Sequence, residues 1–213
     1  MSFSKVLTVS VACAAFLGGC AGLMTASGPK DPTDAEVLEV MKASFREAGI
    51  AKLDRLTQNE LQAACTVANR LGKDIDSATR ARLQKAALDA VKYPADGKFL
   101  GDWKRGEQIA QSGRGLQFSD AANTVNGGNC YACHQLDKAE ISYGTIGPSL
   151  ANYGKLRGNS EAILRYTWAR IWNSHAFNAC ANMPRFGDAG ILTEAQIKDV
   201  MALLLDPESP VNK

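Results

Sequence analysis

The sequence predicts an all-α fold, and three observations carry that prediction. Apolar residues recur at helical spacing along most of the chain, Thr-x-x-Glu/Gln capping boxes open three of these stretches, and no segment has a convincing strand alternation. The length of 213 residues suits one or two domains. Lys and Arg number 24 against 22 Asp and Glu, a balance too even to favour a nucleic-acid partner. No internal repeat is visible.

At the N-terminus, one positive charge lies within Met1 to Lys5, and an uncharged apolar run extends from Val6 to Gly18. That run is shorter than the ~20 residues needed to cross a bilayer and fits a secretory signal over residues 1–20. Leu17-Gly18-Gly19-Cys20 resembles the lipobox of bacterial lipoproteins, in which the cysteine is lipidated and becomes the new N-terminus. Cleavage among the small residues Ala21 to Gly28 is the alternative. Either route exports the protein to the periplasm, with membrane contact only through a lipid on Cys20. Residues 21–31 are small and form a tether.

Residues 32–95 then read as a helical extension. Thr33-x-x-Glu36 opens a helix bearing Val37, Leu38, Val40, Met41 and Phe45, with Gly49 closing it. Thr57-x-x-Glu60 opens a second through Leu61, Ala64, Cys65, Ala68 and Leu71, ending at Gly72. A third runs from about Ser77 to Tyr93, where Pro94 stops it. These helices are too short to stand alone and are expected to pack on one another or on the C-terminal half of the chain. Near Ala95-Asp96-Gly97 the character changes, and residues 96–213 form a second domain with more glycine and longer connections. Its helices are expected at residues 103–112, 160–172 and 193–205. The last opens with Thr193-x-x-Gln196 and carries Ile197, Val200, Met201 and Leu204 on one face.

Cys130-Tyr131-Ala132-Cys133-His134 is a C-x-x-C-H sequence, the haem c attachment signature. Cysteines at this spacing can each add to a vinyl group of one porphyrin, and the adjoining imidazole then points under the iron. The same pattern serves redox dithiols and zinc sites. A dithiol motif wants a βαβ context, which is absent, and a structural zinc site wants more Cys or His ligands than the chain offers. One covalently attached haem c is therefore the expected cofactor.

Export sharpens the cysteine arithmetic. Cys13 leaves with the signal, Cys20 is lipidated or removed, and two cysteines bind haem. Cys65 and Cys180 remain, and an oxidising compartment predicts a bridge between them, two buried thiols being the alternative.

The second axial ligand emerges by elimination. His175 is the only other histidine, Met1 and Met24 fall in the leader and tether, and Met41 and Met201 sit on apolar helix faces. Met183 alone lies in a loop, Asn182-Met183-Pro184-Arg185-Phe186-Gly187, downstream of the attachment site. His134 and Met183 are thus the expected iron ligands, a pair that raises the reduction potential, with His175 the lesser candidate. An imidazole on iron commonly donates its other N–H to a carbonyl, and Pro148 offers one on a stiff backbone. Trp103, Tyr143, Tyr153, Trp168, Trp172 and Phe186 are candidates for the haem wall or for generic core, and Arg185 for a propionate partner. Lys138, Lys155, Arg157, Arg165 and Arg170 add positive charge to this half, as solvated charges or as a rim attracting an acidic partner.

These features together resemble a class I cytochrome c domain, in which a proline occupies the place of Pro148. Longer strings go further. Tyr143-Gly-Thr-Ile-Gly-Pro-Ser-Leu150, Tyr153-Gly-Lys-Leu-Arg157 and Asn182-Met-Pro-Arg-Phe-Gly187 resemble SoxX, the monohaem subunit family of the SoxAX complexes of thiosulfate-oxidising bacteria. The resemblance covers the C-terminal half. It implies an electron-transfer subunit partnered by a SoxA-type cytochrome that carries the catalytic haem. That complex, an L-cysteine S-thiosulfotransferase, joins thiosulfate oxidatively to a cysteine of the SoxYZ carrier, and electrons pass on to a soluble cytochrome c. It implies no catalytic residue on this chain, and a six-coordinate iron leaves no open position for a sulfur substrate. A free-standing periplasmic carrier cytochrome is the alternative. A haem enzyme with a displaceable sixth ligand is a third class, against which the Met183-Pro184 loop weighs.

Overall fold

The computed structural model describes residues 31–213; the expected leader, Cys20 and nearly all of the tether lie outside the described residues. The chain divides into two compact units, the first described from residue 31 to Glu39 and the second running from Val40 to Lys213. Among the described residues there is no strand, only an isolated antiparallel bridge between Ala48 and Ala51, so the all-α expectation holds. No helix among them is long and apolar enough to cross a membrane.

The first unit contributes the start of α1 (Asp34–Ser44), where Thr33 and Glu36 form the expected capping box: the Thr33 N–H donates to Glu36 Oε2 at 2.7 Å. α1 stops before Gly49 and buries none of its residues; in the second unit Val40 and Phe45 are 66% and 56% exposed.

The second unit carries the other helices: α2 (Glu60–Arg70), α3 (Ser77–Asp89), α4 (Trp103–Gln111), α5 (Tyr153–Arg157), α6 (Glu161–Trp172) and α7 (Glu194–Leu205). α2 begins later than its sequence suggests. Asn59 caps it, accepting from the Gln62 N–H at 2.8 Å while Gln62 reaches back, and Thr57 merely closes a 3-10 turn over Leu53–Leu56. Asparagine is as good an N-cap as any residue and outcompetes threonine two positions upstream. α3 is capped by Asp76 and ends at Asp89 rather than Tyr93, because residues 91–93 are recruited by the main core: Val91 is buried there and the Lys92 carbonyl accepts from Trp168 Nε1 at 2.8 Å.

That main core joins α4, α6 and α7 around Trp168, Leu136, Ile197, Met201 and Leu203, all fully buried. α4 crosses α7 at Gly106, where an added Cβ would overlap the Asp199 backbone and meet Leu203 Cβ at 3.0 Å. Glycine permits this approach. The crossing is fastened by Asp199, which accepts from Arg105 Nε and Nη2 at 2.9 Å and from the Asp102 N–H at 2.8 Å. A smaller core of Leu61, Ile75, Leu83 and Ala179 joins α2 and α3 to the segment before Cys180.

Candidate functional site

Between α4 and α5 the chain runs through turns that carry Cys130, Cys133, His134 and Pro148, and Met183 lies in the loop between α6 and α7. Asn129 adopts a left-handed conformation (φ 46°), which asparagine tolerates better than most residues, and starts a 3-10 turn over Cys130–Ala132. The turn is pinned by Tyr131, whose buried ring sends its hydroxyl to donate to Glu107 of α4 at 3.0 Å. The segment 144–150 is laced alongside it: the N–H groups of Gly144, Gly147 and Leu150 donate to the carbonyls of Tyr131, Cys133 and Gln135 at 2.7–2.9 Å.

That lacing sets His134. Its Nδ1–H donates to the Pro148 carbonyl at 2.8 Å, and because a carbonyl can only accept, the neutral ring keeps its lone pair on Nε2. The ring lies directly against Gly147, where any Cβ would overlap it.

Two adjoining cavities open on this ring. One of about 410 Å³ is lined by Cys130, Cys133, Gly147, Met183, Pro184 and Phe186 among others; the second, of about 230 Å³, by Leu150, Tyr153, Arg157, Tyr166, Ile171 and Leu204 among others. His134, Pro148, Arg170 and Met183 line both. The structure therefore brings together Cys130, Cys133, His134, Pro148 and Met183, residues spread over more than fifty positions of sequence. Cys130 and Cys133 are unbridged. Burial pushes the Cys130 thiol up to about 12, opposite to the lowered value of a redox dithiol.

Cys65 and Cys180 form the expected disulfide, with Cα atoms 5.7 Å apart. His175 does not line either cavity. It is 7% exposed, its ring bonded to the Ala181 carbonyl at 3.2 Å, and burial holds its pKa below the usual histidine value.

Of the six aromatics considered for the wall, Tyr153 and Phe186 line the cavities. Trp168 is central core instead, Trp172 stacks on it at 6.1 Å, and Tyr143 borders a separate polar cavity with Glu140 and Ser142. Arg185 does not line either cavity, and its Nη1 pairs with Asp188 Oδ2 at 2.9 Å. Arg170 is half-buried in the wall of both cavities, over the Phe177 ring at 5.5 Å, with no carboxylate partner among the described residues. Tyr166, Ile171 and Leu204 line the site without a sequence signal, since which face of a helix meets a cavity depends on packing.

Residues 104–206 match the protein-family model described as Cytochrome c. The chain is also similar to a protein of Aquifex aeolicus (strain VF5) described as an uncharacterized lipoprotein, 36% identical over 188 residues, covering 86% of this chain and 84% of that protein. A cytochrome c domain implies haem c, and the residues present suit it. Two thiols in the wall of a cavity, an imidazole with a free nitrogen, a thioether and a guanidinium without a carboxylate partner among the described residues meet the needs of a tethered porphyrin bearing carboxylates. The cavity size falls within the roughly 300–1,000 Å³ of small-molecule sites.

Proposed function

Because residues 104–206 form a cytochrome c domain, which implies haem-based electron transfer, we propose that the chain is the haem c electron-transfer subunit of a SoxAX-type complex. In this role it accepts the electrons released when thiosulfate is coupled to a carrier-protein cysteine and passes them to a soluble cytochrome c. Coupling a thiol to thiosulfate releases two electrons and the thiol proton, so a subunit with one haem relays them singly.

Haem c, when bound, supplies a reversible one-electron couple at iron. Cys130 and Cys133 would tether it by thioethers, and His134 and Met183 would supply ligands to its iron. Pro148 orients the imidazole through its carbonyl, which leaves Nε2 as the nitrogen available for ligation. Arg170 and Arg157, both lining the cavity that lacks the thiols, would pair with the haem carboxylates.

The observation that carries the SoxX-type reading is where its motif strings fall. Ile146, Gly147 and Pro148 of the first, Tyr153, Leu156 and Arg157 of the second, and Asn182, Met183, Pro184 and Phe186 of the third all line the two cavities. The specific strings thus belong to the site rather than to general scaffold. Ile146 and Leu156 are also strongly exposed at its rim, an apolar surface suited to a partner. The partner is a SoxA-type cytochrome, with SoxYZ carrier and soluble cytochrome c as transient contacts. The protein is exported to the periplasm, and the lipoprotein description of the relative supports a lipid on Cys20.

Affinity purification from the native host grown on thiosulfate is expected to recover a second c-type cytochrome. Recovery as a lone monomer would instead establish the free-standing carrier.

A further inference from the structure

α2 and α3 contribute nothing to either cavity, yet they are fastened to the loop that carries Met183. Ala179 is buried among Leu61, Ile75 and Leu83 of the smaller core, and Cys180 is bonded to Cys65 of α2. His175 and Ser174 then hold the next two points. The Ala181 carbonyl bonds His175 Nε2 at 3.2 Å, and the Met183 carbonyl accepts from Ser174 Oγ at 2.7 Å. Four residues in five, from 179 to 183, are therefore tied down: one by packing, one covalently and two by hydrogen bonds.

We propose that α2 and α3 form a brace that positions Met183, with the Cys65–Cys180 bridge as its fastening, so that ligation of iron by Met183 depends on the redox state of that bridge. The proposal rests on the reading of Met183 as the iron ligand. Removing the bridge takes away the one covalent tie, leaving the loop held by the Ser174 and His175 hydrogen bonds, by Met183 and Phe186 against the main core, and by the packing of Ala179 in the smaller one. A thioether is a weak neutral ligand, so a small loss of positioning shifts the balance toward competing ligands.

The bridge is open to chemistry. Cys180 is exposed whereas Cys65 is half-buried, so an external thiolate attacks at the Cys180 sulfur. A dithiol reductant breaks the S–S bond, delivers two electrons and two protons to give Cys65–SH and Cys180–SH, and is itself oxidised to a cyclic disulfide. The brace is thereby released without altering the thioethers.

The test uses full-length holoprotein. The bridge is reduced with a dithiol, both thiols are alkylated, the iron is reoxidised with ferricyanide, and cyanide association is followed. Cys65→Ser with Cys180→Ser gives the same state genetically, and the chemical route serves if that variant fails to mature. Expected is a tenfold or greater acceleration of cyanide binding, and a lowered midpoint potential, with the helical far-ultraviolet signal unchanged. Cyanide rates and potential equal to those of untreated protein, with alkylation of both cysteines verified by mass, would overturn the brace. Met183→Ala separates the premise: it must bind cyanide faster still, and if it behaves like the parent protein, the ligand reading fails and the brace with it.

Discussion

Two cores of very different size hold residues 40–213 together, and they depend on different forces. The main core buries Trp168, Leu136, Ile197, Met201, Leu203 and a dozen neighbours. The smaller one has Leu61, Ile75, Leu83 and Ala179. Three large side chains are few for two helices of eleven and thirteen residues. The large core sustains itself; the small one needs attachment, and a disulfide spanning 115 positions of sequence supplies it. A weak element can still govern a site if it is bonded at the right residue.

The contrast between the cores is probed most forcefully at Trp168. Trp168→Ala removes the fully buried centre of the main core and its bond to the Lys92 carbonyl, and is expected to cost about 3–5 kcal/mol. Denaturant titration followed by far-ultraviolet circular dichroism and by the haem Soret band should show both signals lost together at a much lower midpoint. Leu83→Ala tests the smaller core. It is expected to cost about 2–3 kcal/mol and to be felt locally. Hydrogen exchange should accelerate in α2 and α3 while α4, α6 and α7 keep their protection; equal acceleration everywhere would mean that the two cores are one.

Acid gives a smaller effect of the same kind. His175, whose pKa is lowered by burial, binds a proton more readily unfolded than folded. The stability it gives is complete above about pH 6.5 and is lost as pH falls through the lowered folded value. Asp76 has its carboxyl held below the usual value by the Thr79 N–H, and Glu60 by Arg82. Their contributions are present above about pH 4 and disappear on further acidification. Amide protection factors around residues 60–89 and 175–181, corrected for the intrinsic pH dependence of exchange, should therefore fall from pH 7 to pH 5, and again near pH 3. The smallest effect is expected of Glu60→Gln, which removes an exposed ion pair with Arg82 between α2 and α3. Its thermal midpoint should match the parent protein within error.

Much of this was legible in the sequence wherever the signal was local. The capping boxes at Thr33 and Thr193 are read from four residues and occur as read. The Cys65–Cys180 bridge follows from counting thiols in a chain expected to be exported. Local signals failed where two overlapped, as in Thr57-Gln-Asn-Glu-Leu-Gln62, or where a distant group decided. α5 had no sequence signal because its first N–H groups are satisfied by Asn212, whose Oδ1 accepts from Gly154 and Lys155 at 2.8 and 3.2 Å, some fifty-eight positions away. The same holds at the site. Cys130, Cys133 and His134 lie within five residues and stand out; Arg170, Tyr166 and Leu204 in the wall depend on how α6 and α7 pack.

Ligation of iron by Met183 is tested most directly by the near-infrared to red absorption of the ferric holoprotein, where a methionine sulfur bound to iron gives a charge-transfer band. The band is expected in the parent protein and expected to vanish in Met183→Ala, with haem still covalently attached. Its absence from the parent protein, or its survival in the variant, would contradict the assignment.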